Sequence, residues 1–144
     1  MPFTPVFVMV DLERPLRLPD DEEQDVDLTI SNDIRDEVTV VHVGGEIDVY
    51  TAPVLRDHLD EQISQGHHHL VVDLGDVSFM DSTGLGVLVG RLKLARVNDG
   101  TLRLVCSSER ILKVFSITGL DKVFQIFVSV DDALRDRLTH PATA

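Results

Sequence analysis

The chain has 144 residues, a net charge of −12 and an apolar fraction of 43%. That length suits one domain with some tail, large enough to hide roughly 70% of the surface its unfolded form exposes. So acidic a chain is repelled by nucleic-acid phosphates, which argues against direct DNA or RNA binding; solubility is the simplest use of the charge.

Residues 1–23 read as an appendage. They hold four of the six prolines and end in Asp20-Asp21-Glu22-Glu23, an acidic run that solvates rather than folds. The apolar start, Met1 to Val10, lacks the basic leader and cleavage site of a signal peptide. No apolar run approaches the length of about 18 residues that spans a membrane. The single cysteine, Cys106, sits in an apolar context and cannot form an internal disulfide. An inert buried thiol in a cytoplasmic protein is the expectation.

The folded domain is expected over 24–138, with 139–144 as a frayed tail. Val26-Asp27-Leu28-Thr29-Ile30 alternates apolar and polar residues, as a half-buried strand does. Ser31-Asn32-Asp33 has turn chemistry. Val38 to Val43 reads as the second strand of a hairpin, ended by Gly44-Gly45. Thr51 is a good helix N-cap and Pro53 suits a first turn. Leu55, Leu59 and Ile63 then recur at helical spacing, and Gly66 closes the helix.

Leu70 to Leu74 reads as a buried strand, continued by an extended Gly75 to Met80. Asp81-Ser82-Thr83-Gly84 opens a helix running to about Val97, with Leu85, Leu88, Val89, Leu92 and Ala95 inward; Asn98-Asp99-Gly100 ends it. Leu102 to Val105 is a strand. A helix from about Ser108 to Ile117 turns Ile111, Leu112 and Phe115 inward, and Gly119 stops it. Val123 to Phe127 reads as the last strand. Ser129-Val130-Asp131-Asp132 resembles a capping box before a final helix. The order ββαβαβαβα implies right-handed crossovers and a sheet with parallel pairs covered by helices.

Asp81-Ser82-Thr83-Gly84-Leu85 carries the chemistry. Ser82 falls at a helix N-terminus, where free N–H groups and the helix dipole favour a negative group. A phosphate there is tolerated by the fold, yet adds about −1.5 to −2 charges beside Asp81. Taken alone, the segment reads first as an ordinary helix cap.

The wider sequence shifts that balance. Phe79-Met80-Asp81-Ser82-Thr83-Gly84-Leu85-Gly86-Val87-Leu88 closely resembles the phosphorylation loop of bacterial anti-anti-sigma factors of the STAS family. Gly45-Glu46-Ile47-Asp48 with Thr51-Ala52 resembles the family's other diagnostic segment, and Ile117 to Phe124 its late signature. The resemblance covers roughly 26–138. It implies a single α/β STAS domain with a central mixed β-sheet and about four helices packed mainly on one side. It implies that the unphosphorylated protein binds an anti-sigma factor that is also a serine kinase, freeing a sigma factor. The kinase then phosphorylates Ser82, the complex parts, and a phosphatase resets it. Asp48 is carried over as a contact near the phosphorylation site, Asp81 as part of the kinase-facing turn, and Thr83 as a secondary phosphorylation position. Gly84, Leu85 and Val87 complete the expected partner surface, with Leu85 and Val87 taken as exposed. Residues 1–23 are not part of the usual short architecture of the family.

Other chemistries find less support. His67-His68-His69 alternate in direction on entering a strand and do not close on one ion, so no metal is expected. Ser82 lacks a Gly-x-Ser-x-Gly elbow, and the chain has no Gly-rich phosphate loop with Lys. The expectation is a protein that is not an enzyme, needs no cofactor and is a monomer when free. Two alternatives stay open: a STAS subunit of a lipid-transport ATPase complex, and a component of a stress-sensing assembly, both acting without phosphorylation. Gly86 and Gly90, four apart, are read first as tight packing within the domain and second as a partner surface.

Overall fold

A computed structural model describes residues 28–139. The expected appendage 1–23, Val26 and Asp27 of the first strand, and tail residues 140–144 lie outside them.

Five strands and four helices follow the expected order: β1 Leu28–Arg35, β2 Val38–Ile47, α1 Ala52–Ser64, β3 His69–Met80, α2 Ser82–Val97, β4 Thr101–Val105, α3 Glu109–Thr118, β5 Ile126–Phe127 and α4 Val130–Thr139. The sheet order is β1-β2-β3-β4-β5. β1 pairs antiparallel with β2, and every later pair is parallel. Because the parallel strands are added in one direction, right-handed crossovers put α1, α2 and α3 on the same face. Their stripes meet there around Leu55, Leu59, Leu70, Leu74, Leu88, Leu104 and Phe115. α4 covers a smaller core on the opposite face, where Ala133 meets Val38, Val40, Val71 and Val105. The fold is thus α/β with a mixed sheet and helices mainly on one side.

The helix ends follow from local chemistry. Pro53 stands in the first turn of α1, and Gly66 takes the left-handed conformation (φ 96°) just past its end. The Gly66 and His67 amides donate back to Ile63 O and Gln62 O, satisfying the last carbonyls. α2 ends the same way, with Asp99 at φ 62° and Gly100 N donating to Ala95 O at 2.7 Å. Ser108 caps α3 by accepting from Ile111 N, and the Ser129 hydroxyl accepts from Asp132 N at the start of α4. Phe115 of α3 meets Phe124 edge-to-face at 5.9 Å, a geometry worth about 0.5–1.5 kcal/mol beyond burial.

Three expectations need correction. Ser31-Asn32-Asp33 is not a turn but lies inside β1, where Asn32 pairs with Val41. The hairpin turns at Asp36-Glu37 instead, with Asp36 at φ 59°. Gly44-Gly45 does not end β2; the strand absorbs both through register shifts against β3. The last strand is two residues long, because Gly119 (φ 80°) leads into a 3₁₀ turn, Leu120–Lys122, that ties Val123 and Phe124 back to Leu120 O.

Asn32 stays in the strand because its side chain has a use there. Asn32 Oδ1 lies 2.8 Å from Nε2 of His58, a buried residue of α1. His58 Nδ1 is buried without a partner among the described residues. Burial pushes the imidazole below its ordinary value of 6.5, and Glu61 opposes the shift. A depressed folded-state pKa means that the unfolded chain binds the proton more readily. Stability from this site is therefore full above pH 6.5 and falls as the pH drops through and below that value. Thermal melts across that interval should show a fall in Tm that His58→Gln flattens; an unchanged pH dependence in the variant would place the effect elsewhere.

Candidate functional site

β2 and β3 end side by side, with Ile47 opposite Met80 in the register. Asp81 N donates to Ile47 O at 3.1 Å, so the two chain exits are tied together. The loop to α1 and the turn into α2 thus rise from one spot at the C-terminal end of the parallel strands.

Asp48 organises the first exit. Its Oδ1 accepts from Tyr50 N at 2.9 Å and Thr51 N at 3.0 Å. The Thr51 hydroxyl donates to Glu46 O at 2.8 Å and accepts from Asp48 N at 2.9 Å. Thr51 precedes α1 but does not cap it through its side chain; that hydroxyl closes the loop instead. The consequence is that Val49 and Tyr50 are held outward, 57% and 72% exposed.

Asp81 organises the second exit. It is the N-cap of α2, and its Oδ1 accepts from Thr83 N at 2.9 Å and Gly84 N at 3.3 Å. Ser82 is therefore the first residue of a 16-residue helix rather than its cap. Its hydroxyl is exposed and makes no hydrogen bond among the described residues. Thr83 is exposed beside it. Two of the helix's free amides are already used by Asp81. A phosphate on Ser82 would compete with that carboxylate for them and project its charge outward.

Gly84 has a packing reason. A Cβ there would lie 2.6 Å from Ile47 Cγ2 and 2.9 Å from Met80 Cγ. Only a glycine lets α2 start this close to the ends of β2 and β3. Leu85 is not exposed as expected: it is 6% exposed and belongs to the core. Val87 is half-buried against that core, and the expectation of exposure fails for it too. Gly86 and Gly90 do not pack tightly within the domain. A Cβ at either would meet nothing within 4 Å.

The structure brings Asp48, Asp81, Ser82 and Thr83 to one end of the sheet. It adds residues that the sequence reading missed: Val49, Tyr50 and Phe79, the last 44% exposed and opposite Glu46 in the register. A signal for Phe79 existed, since period-2 alternation turns it outward when Met80 points in. This end of the sheet thus carries the exposed apolar residues Val49, Tyr50 and Phe79 together with the acids Glu46, Asp48 and Asp81.

Elsewhere, His67 Nδ1 contacts Gln62 Oε1 and His69 Nδ1 contacts Thr101 Oγ1. Among the described residues no group of three His, Cys, Asp or Glu side chains could hold a metal ion. No described helix is long and apolar enough to cross a membrane. Burial pushes the Cys106 thiol up, away from the reactive thiolate.

An exposed residue, Ser82, thus opens α2 at the C-terminal end of the parallel strands of a small α/β domain. A family profile described as STAS domain matches residues 29–133. An anti-sigma-B factor antagonist of Staphylococcus epidermidis is 44% identical over 101 residues, covering 70% of this chain and 94% of that protein. The crystal structure of an anti-sigma factor antagonist from Mycobacterium paratuberculosis matches with a TM-score of 0.71 and 32% identity, over 82% of this chain and 95% of that one. The phosphorylated form of the Bacillus cell fate determinant SpoIIAA matches with a TM-score of 0.59 and 26% identity, over 76% of this chain and 98% of that one. The chain belongs to the STAS-domain family.

Proposed function

We propose that this chain is an anti-anti-sigma factor switched by phosphorylation of Ser82. Unphosphorylated, it binds an anti-sigma factor with serine kinase activity through the end of the sheet that carries Val49, Tyr50, Phe79 and Ser82. Binding releases a sigma factor. Transfer of phosphate from ATP to Ser82 ends the complex, and a phosphatase restores it. The observation that carries the reading is the exposed, unbonded Ser82 hydroxyl at the first position of α2, with Asp81 already holding the cap. A kinase can reach that oxygen without unfolding the helix. The printed names of the relatives, antagonists of anti-sigma factors, support the same reading.

The test is intact-mass spectrometry of wild type and Ser82→Ala after incubation with ATP and each anti-sigma kinase of the host. A phosphate-sized gain on wild type alone, with one kinase, is expected. Binding of a partner with no gain on either chain would replace the switch by a phosphorylation-independent interaction.

A further inference from the structure

The chain enters the described domain at the same end of the sheet as Ser82. β1 runs antiparallel to β2, with Leu28 opposite Gly45, the residue before Glu46. Paired Cα atoms lie about 4.5–5.5 Å apart across such a ladder, and the three residues from Gly45 to Asp48 span at most about 11 Å. Leu28 therefore lies within about 16 Å of Asp48. Phe79, opposite Glu46 on the other side of β2, is one strand spacing further on, about 5 Å. Residues 1–27 precede Leu28, so their attachment point is beside the surface assigned above to the partner.

That end offers two kinds of group. Val49 and Phe79 are apolar and exposed. Glu46, Asp48 and Asp81 are acids, and none of them forms an ion pair with a described residue. Asp48 and Asp81 each accept backbone amides at Oδ1, which fixes their carboxylates in place without neutralising them. A complementary occupant combines cations with apolar side chains. Residues 1–27 contain one such stretch. Their two cations are Arg14 and Arg17, and both fall within Arg14-Pro15-Leu16-Arg17-Leu18. Residues 1–10 carry no charged side chain, and residues 20–23 are all acidic, so neither matches. Ten residues lead from Leu18 to Leu28 and reach up to about 33 Å, roughly twice the distance needed. Pro15 has its φ set in advance, which lowers the entropy lost on docking.

We propose that residues 14–18 dock on this end of the sheet of their own chain. The arginines lie beside Glu46, Asp48 and Asp81, and the leucines pack against Val49 and Phe79. The contact covers the surface assigned above to the anti-sigma partner and so competes with it; only that consequence rests on the assignment. A short tether holds the segment at an effective concentration near millimolar, so a contact with a Kd of about 1 mM is half formed. Weak docking suits a competitor, which must yield when the partner arrives.

Tyr50 is the only tyrosine and the chain has no tryptophan, so its fluorescence reports this end alone. The test is acrylamide quenching of Tyr50 in the full chain, wild type against Arg14→Gln combined with Arg17→Gln. Acrylamide is neutral, so the lost charges do not alter its approach. With docking half formed in wild type, the variant's quenching constant should be about twofold higher. Raising the salt from about 20 mM to about 500 mM should bring the wild-type constant up to the variant's and leave the variant's unchanged. Amide shifts between the two ¹⁵N-labelled chains should centre on residues 46–51 and 79–83, and the rest of the spectrum reports that the fold is kept. Equal quenching constants at low salt would overturn the proposal. So would shifts confined to Leu28–Arg35, which would place the segment along the outer edge of β1. Protection that falls when the protein is diluted about tenfold would overturn it too, by making the occupant a second copy. No kinase or partner enters these measurements, so their failure leaves the Ser82 reading standing, and a Ser82 that no kinase modifies leaves the docking standing.

Discussion

Ser82→Glu is expected to fold as wild type does and to bind the anti-sigma partner at least about tenfold more weakly, about 1.4 kcal/mol. The fold survives because the substitution falls at an exposed first position of α2, where a carboxylate is favoured by the helix dipole. Binding suffers because the new charge joins Glu46, Asp48 and Asp81 at the end of the sheet that carries the exposed Val49, Tyr50 and Phe79. Desolvating one more like charge at such a surface is costly. Ser82→Ala keeps that surface and loses the acceptor oxygen, so it should hold the partner permanently. Equilibrium binding of both variants to the kinase identified by mass spectrometry decides this. Equal affinity of Ser82→Glu and wild type would mean that release does not run through charge at this turn.

Gly100→Ala should lower stability by about 2–3 kcal/mol, the upper part of the range for overpacking. A Cβ on Gly100 would lie 2.0 Å from the carbonyl oxygen of His68, which is backbone and cannot swing aside. The same oxygen accepts from Thr101 N at 2.9 Å, so relieving the clash also strains the pairing that starts β4 beside β3. A fall of Tm on the order of 10 °C is expected. Gly86→Ala is the internal control. Its Cβ would meet nothing within 4 Å, and a helix gains about 0.5–1 kcal/mol when an interior glycine becomes alanine. The two glycine-to-alanine changes should therefore move stability in opposite directions. Parallel loss in both would show that backbone freedom, rather than the space around each glycine, sets the outcome.

The contrast between these glycines marks what could be read from the chain. Asn98-Asp99-Gly100 is visible as a helix end, but which residue does what there is not. Asp99 takes the left-handed conformation, while Gly100 is small because another strand passes against it. Gly84 sits in a recognisable motif, yet the sequence does not say that Ile47 and Met80 lie against it. Gly86 and Gly90 show helical spacing with no sign that the space beside them is open.

The sequence by itself determined the order of the elements, the face each helix buries, the turn that presents Ser82 and the resemblance to the STAS family. These are local: helical spacing at Leu55-Leu59-Ile63, alternation along strands, and capping residues act over a few neighbours and leave direct marks. The tertiary structure alone decided that Asn32 stays in β1 to meet His58, and that Gly44-Gly45 is carried inside β2. It also decided that Leu85 is core, and that Val49, Tyr50 and Phe79 are exposed at the same end of the sheet as Ser82. Each of these depends on which distant segment the sheet register brings alongside, and a contact between chain-distant residues leaves no periodic trace in the residues that make it.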